Sequence, residues 1–347
     1  MYDSFNEIFN QGYVLTRTMN SIMEKRQEIG NFFRKTDFDE VVFVACGSSY
    51  WASMSACMTL QEMIKKPCTM VKSGDIVMNP QFYQKKFRKP LILAPSRSGS
   101  TSETMSALRL LKETYASKVF ALVEYEQAPI LSYADFVIDL PWVNEISVCQ
   151  TRSFSCLYLS MVLIAAILGE DEALIADLKR YTEGFDGHSA NAGNLIQVIM
   201  DDFKDWDALV ALGNGSQYGV VVEGAYINIE MAQLPAHYYS TLEWRHGPIV
   251  ISDSSYLVVL TAGSRIAREL EEKMAADTRK TGARVFSISG MDDFVQKDYS
   301  IALGWEARPE TVALFSVMVM QGIAYYQAVH RKLNPDKPGN LVSWIEI

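Results

Sequence analysis

The chain has 347 residues, of which 49% are hydrophobic and 21% charged, and a formal net charge of −9. Such a length predicts two or three domains, each with its own core, and the composition excludes a disordered chain. The acidic balance argues against a nucleic-acid surface, which needs a basic stripe, yet allows a small anion held by helix N-termini and hydroxyls.

In chain order, the opening residues carry acids and lack the basic-then-apolar order of a signal peptide. Residues 1–35 show apolar positions at helical spacing and predict helices. Residues 41–46 are a continuous apolar run ending at Gly47, as a buried parallel strand should be, and a helix pattern follows over 50–65. A second buried strand is expected at 91–94, then the polar loop Ser96-Arg97-Ser98-Gly99-Ser100-Thr101 and a helix over 103–114. Strands at 119–123 and 136–140 and a long apolar helix over 151–168 complete the first half. The longest apolar stretch, residues 157–168, falls short of the ~20 residues of a membrane span, so no membrane partner is expected.

The second half repeats the plan. Residues 209–218 echo the first strand and its Gly-Ser-Ser-Tyr turn, residues 257–260 echo 91–94, and a strand at 285–288 and a helix over 310–330 follow. The expected layout is N-terminal helices (1–35), a first α/β domain (36–169), a helical connector (170–205), a second α/β domain (206–330) and a tail (331–347). Each domain is expected to be a doubly wound parallel sheet flanked by helices, a three-layer αβα arrangement. The five cysteines (Cys46, Cys57, Cys68, Cys149, Cys156) are odd in number and form no C-x-x-C pair. They read as reduced core thiols of a cytoplasmic protein, without disulfide frame or metal site.

Ligands of open α/β sheets bind beyond the carboxyl ends of the strands. Two loops are expected there in the first domain, Cys46-Gly47-Ser48-Ser49 and Ser96 through Thr101, both rich in glycine and hydroxyls. Such loops suit a phosphate, and Arg97 would add a charge-assisted bond; the alternative is that they are ordinary turns and caps. No P-loop lysine pattern exists, and the glycines of residues 213–219 match a dinucleotide fingerprint only weakly, so no nucleotide cofactor is expected.

Four phrases carry a resemblance: residues 46–50 (Cys-Gly-Ser-Ser-Tyr), 96–101 (Ser-Arg-Ser-Gly-Ser-Thr), 223–225 (Glu-Gly-Ala) and 243–248 (Glu-Trp-Arg-His-Gly-Pro). Together they resemble sugar isomerase (SIS) domains, and more narrowly the isomerase half of glucosamine-6-phosphate synthase and its relative fructoselysine-6-phosphate deglycase. The resemblance covers nearly the whole chain and implies paired SIS domains acting on a sugar phosphate without cofactor. It implies that Ser49, Ser96, Ser98 and Thr101 hold the phosphate, with Arg97 where the synthase has glutamine, and that Gln150 meets the sugar hydroxyls. Glu230 falls at the catalytic base, and His246 at the histidine that assists ring opening, often from a neighbouring subunit, so a homodimer or larger assembly is expected. Glu230 lies in a mostly apolar helix over 220–234, where burial is expected to raise its pKa. His246 is expected at a loop-to-strand junction.

One departure decides the direction of the expectation. Residues 338–343 read Pro-Gly-Asn-Leu-Val-Ser where the synthase pattern has Pro-Arg-Asn-Leu-Ala-Lys, whose lysine opens the sugar ring; Ser343 stands at that position. The chain also starts without the synthase's cysteine-led glutaminase domain. The expectation is therefore a deglycase that releases an amine from a 6-phosphorylated sugar–amine adduct. The rivals are an aldose–ketose isomerase, an aminosugar-phosphate deaminase, or a sugar-phosphate-sensing module.

Overall fold

The structure, a computed structural model, describes residues 2–263 and 265–342. The chain opens with three helices, α1 (Asp3–Phe9), α2 (Gly12–Glu24) and α3 (Arg26–Lys35). The first sheet region follows as β1 (Glu40–Ala45), α4 (Gly47–Ile64), β2 (Cys68–Lys72), α5 (Ser73–Met78), α6 (Pro80–Tyr83), β3 (Pro90–Ser96), α7 (Ser102–Tyr115), β4 (Val119–Val123), β5 (Phe136–Asp139) and α8 (Arg152–Leu168). After α9 (Glu172–Glu183) and α10 (Phe185–Phe203) come β6 (Ala208–Gly213), α11 (Tyr218–Ala232), β7 (Ala236–Ser240), β8 (Tyr256–Thr261), α12 (Arg268–Lys280), β9 (Arg284–Ser289), β10 (Tyr299–Ala302) and α13 (Pro309–His330).

All pairings in both sheets are parallel, and the two strand orders are equivalent: β2-β1-β3-β4-β5 and β7-β6-β8-β9-β10. Each sheet therefore reverses its strand order at one point, between β1 and β3 or between β6 and β8, and there the two outgoing loops diverge and leave a crevice. The doubly wound α/β expectation holds.

The chain divides into two compact units that are not continuous in sequence. One is built mainly from residues 13–145 and 152–176. Its sheet buries Val42, Val44, Ile92 and Ala94 with Leu108 and Leu111 of α7, while Phe32 and Phe33 of α3 pack with Phe120 of β4. Helices on both faces make β1 and β3 almost wholly buried, which explains their unbroken apolar runs. The other unit takes residues 177–341 together with 1–12 and 146–151. Val210, Leu212, Val258 and Leu260 pack on Met274 and Ala275 of α12, and α11 lies along α13. Gly224 of α11 permits that approach, since a Cβ there would lie 2.1 Å from Met320 Cε. The tail folds back within this unit: the Asp336 carboxylate accepts the N–H groups of Asp3 (3.0 Å) and Ser4 (2.8 Å).

Among the described residues α13, rather than residues 157–168, is long and apolar enough to cross a membrane, but 89% of its apolar window is buried, as in a core helix. Three strands were not expected from sequence: β2, β7 and β10. All three are sheet edges with half-exposed residues, so they lack the apolar run that marked the central strands.

Candidate functional site

The reversal point between β1 and β3 gathers the residues expected to hold the phosphate, Ser49, Ser96, Arg97, Ser98 and Thr101. Helix α4 starts at Gly47, earlier than the apolar spacing suggested, so Ser48 and Ser49 lie in its first turn with their N–H groups among those without intrahelical acceptors. Ser96 ends β3, and Thr101 is the N-cap residue of α7, yet its side chain makes no capping bond. The Cys46 thiol lies 3.6 Å from the Thr104 hydroxyl of α7, which lies 3.1 Å from the Ser73 hydroxyl of α5, so the end of β1 is tied to the first turn of α7.

Two hydroxyls in the second loop are polarised by the backbone. Gly99 N–H donates to Ser96 Oγ (3.0 Å), and Ser100 N–H donates to Ser98 Oγ (3.2 Å). Each oxygen thus accepts a bond and keeps its own O–H to give to an acceptor. Gly99 sits at φ +59° against Ala128 and Ile130, where a Cβ would come within 2.5 Å of Ala128 Cβ. Both the positive φ and the packing exclude a side chain there.

Arg97 differs from its expected role as an available cation. It is 7% exposed, and its Nη1 donates to Glu145 Oε2 at 3.1 Å. The Ser153 N–H donates to Glu145 Oε1 (3.2 Å), and the Ser153 hydroxyl donates to Oε2. Arg152 donates to the Asn144 carbonyl. Beside Arg97 stands Glu124, 2% exposed, at the end of β4. Burial and the neighbouring Glu145 carboxylate push the Glu124 carboxyl up to about 8. Sequence reasoning named Arg97 and missed Glu124. The available signal was an acid closing a buried apolar strand at the sheet's ligand-binding edge.

Gln150 belongs to the other unit. Its segment is pinned there by Val148 N–H donating to the Asp336 carbonyl (3.0 Å) and Gln321 Nε2 donating to the Thr151 carbonyl (2.9 Å). Gln150 Oε1 is buried and has no hydrogen-bond partner among the described residues. Glu230 lies in the last turn of α11 and is half-buried, not buried as expected; it is Glu223 on the same helix that is 0% exposed. The apolar pattern around Glu230 is used in packing α11 on α13. Glu230 stands close enough to Tyr226 to help raise that phenol's pKa, after burial.

His246 lies between two single 3-10 turns, Glu243–Arg245 and Pro248–Ile251, rather than at the start of a strand. Trp244 anchors this loop: it is fully buried and its Nε1 donates to Thr278 Oγ1 at 2.9 Å. Arg245 is tied to Asp277 at 2.8 Å. His246 is left exposed, and its ring has no hydrogen-bond partner among the described residues. The other histidines are engaged: His188 stacks on Tyr181, His237 on Tyr239, and His330 bonds to Asp205 at 2.9 Å. Among the described residues no three His, Cys, Asp or Glu side chains form a metal-ligand group.

The SIS domain family model matches residues 36–168 and again 202–331. The chain belongs to the SIS domain family. A SIS relative, the glutamine–fructose-6-phosphate aminotransferase (isomerizing) of Shewanella oneidensis, is 23% identical over 358 residues, covering 98% of this chain and 58% of that protein. The chain thus spans little more than half the length of this relative. Glucosamine-6-phosphate deaminase of Thermotoga maritima shares the fold with a TM-score of 0.78 at 24% identity, covering 95% of this chain and 99% of its own. Tagatose-6-phosphate ketose/aldose isomerase of Escherichia coli does so with a TM-score of 0.81 at 21% identity, covering 98% and 96%.

Proposed function

We propose that this SIS protein is an enzyme that removes an amine from a 6-phosphorylated sugar–amine adduct of the fructoselysine 6-phosphate type. The observation that carries the reading is the set of hydroxyls at the β1/β3 reversal point, where Ser96 and Ser98 accept backbone N–H groups and keep O–H donors for an anion. Ser49 and Thr101 add hydroxyls, and the first turns of α4 and α7 add N–H groups and the positive end of each helix.

In the adduct, nitrogen is on C1 and the carbonyl on C2. Glu230 takes a C1 proton while His246 protonates the developing C2 oxyanion, giving an enaminol. Reprotonation at C2 gives an imine, and water hydrolyses it to an aldose 6-phosphate and a free amine. Gln150, with a buried amide oxygen awaiting a donor, suits a sugar hydroxyl. The amine-releasing direction is favoured because Ser343, outside the described residues, replaces the lysine of the synthase pattern. No cofactor is required by these steps.

His246 is exposed on a loop that also exposes Leu242 and, by 85%, Val250. That face suits a second copy of the chain, to whose site His246 would contribute. Mixed dimers of Glu230→Gln and His246→Ala chains should then regain activity through one composite site. No recovery despite proven subunit exchange would reject sharing.

A second reading is an aldose–ketose isomerase or an aminosugar-phosphate deaminase, the activities named for the Escherichia coli and Thermotoga maritima proteins. Incubation with fructoselysine 6-phosphate, glucosamine 6-phosphate and fructose 6-phosphate separates the readings. Amine release from the first alone supports the deglycase; release from the second, or interconversion of the third, replaces it.

A further inference from the structure

Glu124 is a buried acid that the proposed reaction does not use. Its backbone N–H donates to the Arg97 carbonyl (3.2 Å), so it is stitched to the loop carrying Ser96 and Ser98. Its Oε1 accepts the Glu145 N–H at 2.7 Å. Its Oε2 is buried and has no hydrogen-bond partner among the described residues. The Glu145 carboxylate is already paired with Arg97 at 3.1 Å, and the side chains of that pair are 8% and 0% exposed. Two carboxylates thus share a buried space, with Arg97 paired to one of them and Arg152 of α8 within electrostatic reach. The usual resolution is that one of them keeps its proton.

We propose that Glu124 is held as a neutral carboxylic acid beside Arg97, and that this proton keeps the phosphate loop receptive to an anion. Glu124 acts through Arg97 and Glu145 and is a positioning residue. When its Oε2 proton leaves to solvent, a second negative charge appears beside Arg97 and the phosphate loop, opposing the incoming phosphate. The proposal rests on the phosphate reading above.

The groups facing Glu124 come from every element around it: Arg97 from the β3–α7 loop, Tyr125 from its own segment, Glu145 from the loop after β5, and Arg152 and Cys156 from α8. Burial pushes the Cys156 thiol up to about 12 and raises the Tyr125 phenol. The Glu124 carboxyl, pushed up to about 8 from its ordinary 4.5, is the group placed to change charge between pH 7 and 9.

The sign follows from linkage. The folded state binds this proton more tightly than the unfolded state, so the stability it contributes is full below pH 4.5 and is lost as pH rises through 8. Relative to Glu124→Gln, wild-type protein should therefore lose up to about tenfold in folding equilibrium constant per pH unit across that window. This arm needs no ligand. In the same window, a protonated-carboxyl infrared band should fade from the wild type with a midpoint near 8, which needs no variant.

The second arm is calorimetric titration with glucose 6-phosphate at pH 7 and pH 9. If only the neutral form is receptive, wild-type affinity should fall about tenfold at pH 9. Glu124→Gln stays neutral and should bind equally at both. Parallel stability profiles without the infrared band would overturn the proton, and parallel affinity profiles would overturn its action on the loop. Absence of binding at either pH, with the stability difference intact, would remove the phosphate reading and the affinity half of the proposal, leaving the held proton.

Discussion

At the β1/β3 reversal point the hydroxyls of Ser96 and Ser98 accept backbone N–H groups and keep donors to offer. At the matching β6/β8 point the second unit satisfies itself. Asn214 Nδ2 donates to Thr241 Oγ1 (2.6 Å), and Asn214 Oδ1 accepts the Thr241 N–H (3.1 Å). Gln217 Nε2 reaches the carbonyls of Ala262 (3.2 Å) and Pro309 (3.3 Å). The Gly263 N–H, a donor of the kind that binds anions, is taken by the Glu271 carboxylate at 2.7 Å. One topology thus leaves hydroxyl donors on offer in one copy and fills the matching place with an internal carboxylate in the other. The fold sets the place, and local side chains decide whether a ligand is needed there. The second unit carries Glu230, His246 and Gln150 instead.

The largest expected effect tests that division directly. Glu230→Gln keeps the size of the side chain and removes its basicity, so turnover should fall ~10²–10⁴-fold while glucose 6-phosphate binding is kept. Loss of binding together with turnover would break the division. Arg97→Ala should act on folding before it acts on ligand. It takes the paired cation from the buried Glu145 carboxylate, and breaking such a pair costs roughly 3–5 kcal/mol, read as a lowered denaturation midpoint. An Arg97→Ala protein of normal stability would mean the guanidinium is available to the ligand after all.

Gly99→Ala imposes both a positive φ and contact with Ala128 and Ile130, for an expected loss of about 3 kcal/mol by chemical denaturation. A neutral effect would mean that the loop relaxes easily and does not hold its hydroxyls in place.

Much of this was legible in the sequence. Val41 through Ala45 and Val119 through Val123 announce themselves because helices cover both faces of a parallel sheet, and every residue of such a strand is apolar. The edge strand β7, Ala-His-Tyr-Tyr-Ser, carries no such run, because one side faces outward. The Ser-rich loops were legible from their glycines and their place after strands. The Arg97–Glu145–Glu124 cluster was not, since its members are brought together only by the packing of β3, β4 and α8. Nor does local sequence show that Gln150 joins the second unit, which depends on Asp336 and Gln321 far along the chain.

The most direct test of the central claim titrates glucose 6-phosphate into three proteins: wild type, Ser98→Ala/Thr101→Ala, and Asn214→Ala. A hydrogen bond to a charged group contributes ~1.5–3 kcal/mol, so losing two hydroxyls should weaken affinity by well over tenfold. Asn214→Ala, at the self-filled reversal point, should leave affinity unchanged. Normal binding by the Ser98→Ala/Thr101→Ala protein, or a matching loss in Asn214→Ala, would contradict the account.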